Sequence, residues 1–471
     1  MNWAVETHSS SVSLPGKTSV LWVSVSMMGL LPMMGMGLLS FVMGGSQSQP
    51  LVASNLDTIE LAVQWRSPWV AQLFEPDPAA SAIAQQYLAN LANQGLGANT
   101  QGLFFFTGST TETYHQATTP LPAASLTKIA TTLAALSTWR PDHRFETLVG
   151  VTGPIENGVV SGNLVVRSGS DPFFVWEEAI ALGNALQAAG ISTVEGDLIV
   201  LGDFTMNFEA DPYRAGELLE QAIDAQRWSS EIESQYQALP PNTPHPQVSI
   251  QGGIQVQPLD AVGQVSAWVV QHQSLPLVAI LKAMNIYSNN VMAEQMADLA
   301  GGAAVVMAKV AEKTRVPANE IQLVNGSGLG VENQISPRMV VAMLTTLERM
   351  LQAEGYTIAD VLPVAGRDTG TLAYRDLPAH AALKTGSLAT VSSLAGVFPT
   401  RDRALVWFAI LNQGGNLEGL RQGQDNLLKA MQQHWGSPTT VSDRLQPSVD
   451  FDQPLYQLGN PQRNQAFVAG N

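Results

Sequence analysis

The sequence predicts an α/β (α+β) fold: helices packed on an antiparallel sheet, interrupted by an inserted, mainly β region. Three observations lead there. The stretch Pro122–Leu136 begins just after a proline and carries apolar residues at helical spacing. After Arg144 the texture changes to short strands, and helices return from Leu275. Near the C-terminal end, Ser393 to Pro399 and Ala404 to Leu411 read as two strands, with Thr400-Arg401-Asp402-Arg403 as their hairpin turn and a helix from Leu417 to His434 behind them. A chain of 471 residues has room for two or three domains. The expected division is an N-terminal signal or membrane anchor (1–48), a first part of the core (49–144), the insertion (145–269), a second part of the core (270–436) and a flexible tail (437–471).

In chain order, Thr18 to Ser48 contains no charged side chain, and Lys17 lies just before it. Its centre, Val20 to Met43, exceeds the about 20 apolar residues that span a bilayer. Export by a signal or signal anchor is the expectation, with the remainder of the chain periplasmic or otherwise extracytoplasmic. A linker follows to about Asp57, then a helix through Ala79 to Leu91 and a buried strand at Leu103-Phe104-Phe105-Phe106. In the inserted region, Phe145 to Val151 and Val159 to Arg167 flank the turn Glu156-Asn157-Gly158. A helix from Trp176 to Ala189 ends at Gly190, and Gly196 to Leu201, Gln247 to Gln257 and Val265 to Gln271 read as strands. Helices then cover Pro276 to Met284, Val291 to Leu299 and Met339 to Leu351. The last stretch, rich in Gln, Asn and Pro, reads as loose.

Composition is that of a globular protein, 45% hydrophobic and 13% charged, and the net charge of −16 argues against nucleic acid as a partner. With no cysteine there is no disulfide, thiolate metal site or catalytic thiol. No cofactor or metal is implied. The histidines occur without Gly-x-Ser-x-Gly and in no metal-binding pair.

Chemistry concentrates in three short motifs. Ser125 and Lys128 share one face of the helix, and a hydroxyl beside an amine is a candidate nucleophile and base once the amine loses its proton. That requires a downward pKa shift of about 2–3 units, which burial or a second cation supplies. Ser288-Asn289-Asn290 lies at a break between two helices, and Lys384-Thr385-Gly386-Ser387 precedes the two C-terminal strands. Of the few lysines, only Lys128 has a serine three residues upstream, and only Lys384 is followed by Thr-Gly. Ser288 is placed to relay a proton between Lys128 and a leaving amine, and the Asn290 amide to hold a peptide group. Lys384 adds positive charge for a carboxylate and helps keep Lys128 neutral. Gly386 allows close approach of a substrate backbone, Thr385 and Ser387 complete a carboxylate pocket, and the Ser125 and Ser387 N–H groups are oxyanion-hole candidates.

Ser-x-x-Lys, Ser-x-Asn and Lys-Thr-Gly in this order resemble the signature of β-lactamases and penicillin-binding proteins. From about residue 70 to 430 the chain resembles the class C low-molecular-mass penicillin-binding proteins, serine D-alanyl-D-alanine carboxypeptidases and endopeptidases. The likeness extends to Gly162–Pro172, Gly196–Val200, Gly326–Leu329, Leu362–Gly366 and Ser393–Gly396, and to the long gap between Ser125 and Ser288, where that family carries extra domains. The resemblance implies a transpeptidase-like core, hydrolysis of peptidoglycan stem peptides through an acyl-enzyme, and acylation by β-lactams. It also implies that Asp171 meets the amine of the peptidoglycan diamino acid. The family pattern Asp-Gly-Ser-Gly-Leu-Ser-Arg is Asn325-Gly326-Ser327-Gly328-Leu329-Gly330-Val331 here, so the arginine for the acidic end of that residue is Val331. The alternative reading is a penicillin-sensing or wall-binding module with vestigial catalysis. Retention of Ser125, Lys128, Ser288, Asn290 and Lys384 together disfavours it, because a pure binder needs no proton-transfer set.

Overall fold

The computed structural model describes residues 76–467. The described residues all belong to one compact unit. The apolar stretch Val20 to Met43 lies outside the described residues, among which no single helix is long and apolar enough to cross a membrane.

The core is a five-stranded antiparallel sheet in the order Ala382–Leu388, Val391–Pro399, Leu405–Gln413, Gln101–Phe106, Thr111–His115. The strand Gln101–Phe106 thus lies against Leu405–Gln413, with Phe104 opposite Ala409. Its continuous apolar run is explained by burial on both faces. Alternate side chains point to opposite faces. Phe104 packs with Trp407 and Leu411 under the helices that contain Ile129, Leu281 and Leu344. Leu103 and Phe105 pack on the other face with Phe408 and Ile410, against helices Pro78–Asn93 and Leu417–Trp435. The result is one sheet between two helical layers.

Residues 145–273 form a body with its own core, organised on a six-stranded sheet ordered Ile254–Gln257, Leu198–Leu201, Leu164–Arg167, Glu146–Val151, Ala267–Gln273, Asn464–Ala466. This sheet is separate from the one that carries Lys384. Its first three strands run parallel, and the helices Trp176–Ala188 and Pro212–Ala222 lie in the connections between them. Parallel neighbours require such crossovers. The region is therefore more helical than the strand-rich sequence texture suggests. The sequence reading includes the helix at Trp176 but not Pro212–Ala222 or Ser230–Tyr236. Both carry N-terminal signals, Asp211 before Pro212 and Ser229 before Ser230, each accepting a backbone N–H of its helix. Their short, polar-rich sequences hide the apolar stripe.

The tail departs from expectation. Rather than lying loose, residues after 437 cross from the core to the inserted body. Leu445 and Val449 are buried in the main core, and the Asp360 carboxylate takes hydrogen bonds from Ser448 and the Val449 N–H. Asn464–Ala466 then adds the last strand of the six-stranded sheet. Arg463 is buried and paired with buried Glu178, and also donates to the carbonyls of Leu455 and Gln457. Few apolar anchors among many Gln, Asn and Pro residues resemble disorder in composition, yet buried Leu445 and Val449 and the ion pairs Arg444–Glu348 and Arg463–Glu178 hold the segment. Arg463→Ala should leave Glu178 uncompensated in the interior and destabilise the protein by about 3–5 kcal/mol, measured as a lower denaturant midpoint.

Candidate active site

Ser125 sits in a single 3-10 turn, Ala124–Leu126, at the entrance of helix Thr127–Leu136. The residue before it, Ala124, has φ +47°, a left-handed conformation that costs an alanine energy and sets the direction of the serine. Two glycines make this geometry possible. A side chain on Gly328, whose φ is +83°, would begin 1.9 Å from the Ala124 carbonyl oxygen. One on Gly386 would begin 2.2 Å from Ser393 Oγ and 2.9 Å from the Ser125 nitrogen. Gly386 therefore admits the Ser125 turn itself against the strand, beyond the room expected for a substrate.

Lys128 is fully buried one turn further on. Its Nζ lies 3.2 Å from Ser125 Oγ, 2.8 Å from Asn290 Oδ1 and 2.8 Å from the Ser327 carbonyl. Burial pushes its pKa down to about 7, opposed by the negative charge of Glu294. Glu294 stands on the same helix as Asn290, Asn290–Leu299, and takes the N–H groups of Gly326 (2.8 Å) and Ser327 (3.2 Å). Thr131, on the Lys128 helix, donates to the Gly326 carbonyl at 2.7 Å. The loop is thus gripped from both sides, and this grip presents the Ser327 carbonyl to Lys128.

Ser288 caps the helix Leu277–Tyr287 in a left-handed conformation, φ +54°. Its hydroxyl accepts from Lys384 Nζ at 3.0 Å, and Lys384 also donates to the Thr385 carbonyl at 2.8 Å. No hydrogen bond joins Ser288 to Lys128 among the described residues. Lys384 is fully buried, and burial, with Lys128 nearby, lowers its pKa well below the usual value. Enclosed in this way, the Lys384 amine faces Ser288 and the Thr385 carbonyl.

The strand Ala382–Leu388 leaves Thr385 nearly buried and Ser387 exposed. Asn290 spends its Oδ1 on Lys128, so the amide N–H₂ remains for a peptide carbonyl. Asp171 is not joined to this cluster by any hydrogen bond. It lies buried in the inserted body with Oδ1 on the Phe173 N–H, and burial raises its pKa to about 7. Val331 is exposed.

Two contributors escape the sequence reading. Glu294 follows Asn290 by four residues, one helical turn, and that spacing was an available signal. Arg421, on the helix Leu417–Trp435, donates to Ser387 Oγ at 3.1 Å. Nothing in the sequence links it to the motifs; only the fold brings it there.

The arrangement supplies a hydroxyl beside an amine that titrates near neutrality, a second hydroxyl on a second amine, and a strand edge alongside both. Comparison with known proteins fits this chemistry. Among curated relatives, the Carboxypeptidase DacB of Mycolicibacterium smegmatis is 27% identical over 396 residues, which cover 74% of this chain and 83% of that protein. The D-alanyl-D-alanine carboxypeptidase DacB of Haemophilus influenzae is 25% identical over 397 residues, covering 63% and 82%. Solved structures share the fold. A penicillin G-acylated predatory endopeptidase from Bdellovibrio bacteriovorus superposes with a TM-score of 0.64 at 24% identity, covering 75% of this chain and 98% of that one. Penicillin binding protein 4 of Haemophilus influenzae gives a TM-score of 0.55 at 20% identity, covering 73% and 99%. The model of the D-Ala-D-Ala carboxypeptidase 3 (S13) family matches residues 86–212 and 245–434, a span that takes in Ser125, Lys128, Ser288 and Lys384, and the chain belongs to that family.

Proposed function

We propose that Ser125 is the nucleophile, Lys128 its base and Ser288 the donor to the leaving group of a serine D-alanyl-D-alanine carboxypeptidase, active also as an endopeptidase on peptidoglycan cross-links. One observation carries the assignment. A neutral amine has two N–H groups and one lone pair, and two of the three neighbours of Lys128 Nζ, Asn290 Oδ1 and the Ser327 carbonyl, only accept hydrogen bonds. The lone pair is left for Ser125, whose hydroxyl is the one neighbour able to donate.

Ser125 Oγ attacks the carbonyl carbon of the penultimate D-Ala while its proton passes to Lys128. The tetrahedral intermediate collapses, the C–N bond breaks, and the departing amine takes a proton by way of Ser288. Asn290 holds the peptide carbonyl through its N–H₂, and Thr385 and Ser387 meet the terminal carboxylate. Water then hydrolyses the ester and restores Ser125. The same ester forms with a β-lactam, a reading supported by the structural relative acylated by penicillin G.

Ser125→Ala is expected to abolish both penicillin labelling and D-Ala release, and Lys128→Ala to slow acylation by about 10²–10⁴-fold. Covalent penicillin on folded Ser125→Ala protein would refute the assignment. Because Lys128 accepts a proton only when neutral, kcat/KM should rise with pH through about 7. Removing the negative charge in Glu294→Gln takes away what favours the ammonium form, so this limb should move to lower pH; a shift to higher pH contradicts the role given to Lys128.

We further infer that Val20 to Met43 directs export, as a signal or signal anchor, and leaves the catalytic region outside the cytoplasmic membrane, on the strength of its uncharged length. A reporter fused after Ser48 should be active only outside the cytoplasm, and cytoplasmic retention of the fusion rejects the inference.

A further inference from the structure

We propose that Arg421 is the cation that recognises the terminal carboxylate of the substrate, reaching it beside Ser387 from the helix Leu417–Trp435. The inference rests on the assignment of Ser125 as nucleophile and deepens it, because it names the group that decides which peptide ends are accepted.

A free carboxylate next to the scissile bond calls for a positive partner that an incoming peptide end can reach. Lys384 does not meet that requirement. It is fully buried, and its Nζ is committed to Ser288 and the Thr385 carbonyl. Lys128 is fully buried too and faces Ser125, Asn290 and Ser327. Arg421 differs in each respect. Its side chain is 36% exposed, and its Nη2 lies 3.1 Å from the hydroxyl of Ser387, the exposed residue of the Lys-Thr-Gly-Ser strand.

The competing explanations for Arg421 are weak. Its acidic neighbour, Glu418, stands 3.8 Å away and is 85% exposed, which makes a solvated surface pair worth little. The residue also lies just past the first turn of its helix, where the helix dipole does not favour a cation. What remains is the contact with Ser387. A guanidinium offers a planar pair of N–H groups matched to the two oxygens of a carboxylate, so it can grip the anion while Thr385 and Ser387 add hydroxyl donors. The protein carries a net charge of −16, and a local cation at this edge also offsets the repulsion that an anionic peptide end meets on approach.

The test compares two N-acylated peptides ending in D-Ala-D-Ala, one with a free C-terminal carboxylate and one with a C-terminal amide, using the full chain. The unaltered enzyme should prefer the free acid. In Arg421→Ala the acid-over-amide ratio of kcat/KM should fall about ten- to a hundred-fold, the range of a hydrogen bond to a charged group, and the loss should sit mainly in KM. Arg421→Lys should recover part of the preference, and Arg421→Gln, which keeps polarity and length without charge, should not. An unchanged ratio in Arg421→Ala and Arg421→Gln, or an equal loss on both peptides, overturns the proposal. Failure of the nucleophile assignment looks different: Ser125→Ala protein then cleaves the free acid as well as the unaltered chain does, and the proposal falls with it.

Discussion

An amine enclosed without a carboxylate in hydrogen-bond contact is the constraint from which this structure is arranged. Keeping an ammonium out of water costs several kcal/mol, so Lys128 is relieved of that cost by becoming neutral near physiological pH. Its neighbours come from three separate parts of the chain: the turn at Ser125, the helix at Asn290 and the loop at Ser327. Each is fixed by something beyond the amine. Gly328 and Gly386 let the Ser125 turn press against loop and strand, and Glu294 with Thr131 holds the loop. Glu294 opposes the lowering of Lys128 from a distance, its carboxylate taken up by the Gly326 and Ser327 N–H groups.

The outer face of the core sheet shows the same economy with polar groups. Asn412, nearly buried on its strand, accepts from Tyr87 and Gln424 and donates to Gln101, each at 2.8 Å. One carboxamide thereby ties two outer helices and the neighbouring strand to the sheet. Arg375 and Asp425 add a buried ion pair nearby, so the helix bearing Arg421 is anchored along its length before it reaches Ser387. An anchored helix positions a long side chain better than a loop would.

Much of this was legible in the sequence, for identifiable reasons. The three motifs stand out because each pairs scarce lysines or a helix break with a hydroxyl, and the apolar run at Leu103 announces a strand covered on both sides. The separate inserted body was visible in the change of texture at Phe145. What could not be read was long-range pairing. Glu294 acts through backbone N–H groups, which leave no mark on the sequence of the loop they belong to. Arg421 and Arg463 find their partners only through the fold. The polar tail hides two buried anchors and a strand that completes someone else's sheet.

The placement of Gln101–Phe106 beside Leu405–Gln413 has a consequence for how the molecule is made. Strand partners separated by 311 residues, such as Gln101 and Asn412, put the core among topologies that form slowly. At synthesis rates of about 5–20 residues per second, roughly 15–60 s elapse between the emergence of the two strands. Throughout that interval Leu103-Phe104-Phe105-Phe106 has only Thr111–His115 to pair with, and its other edge stays open, of the kind that joins chains to one another. The nascent chain therefore depends on being held apart from its copies until its last strands arrive.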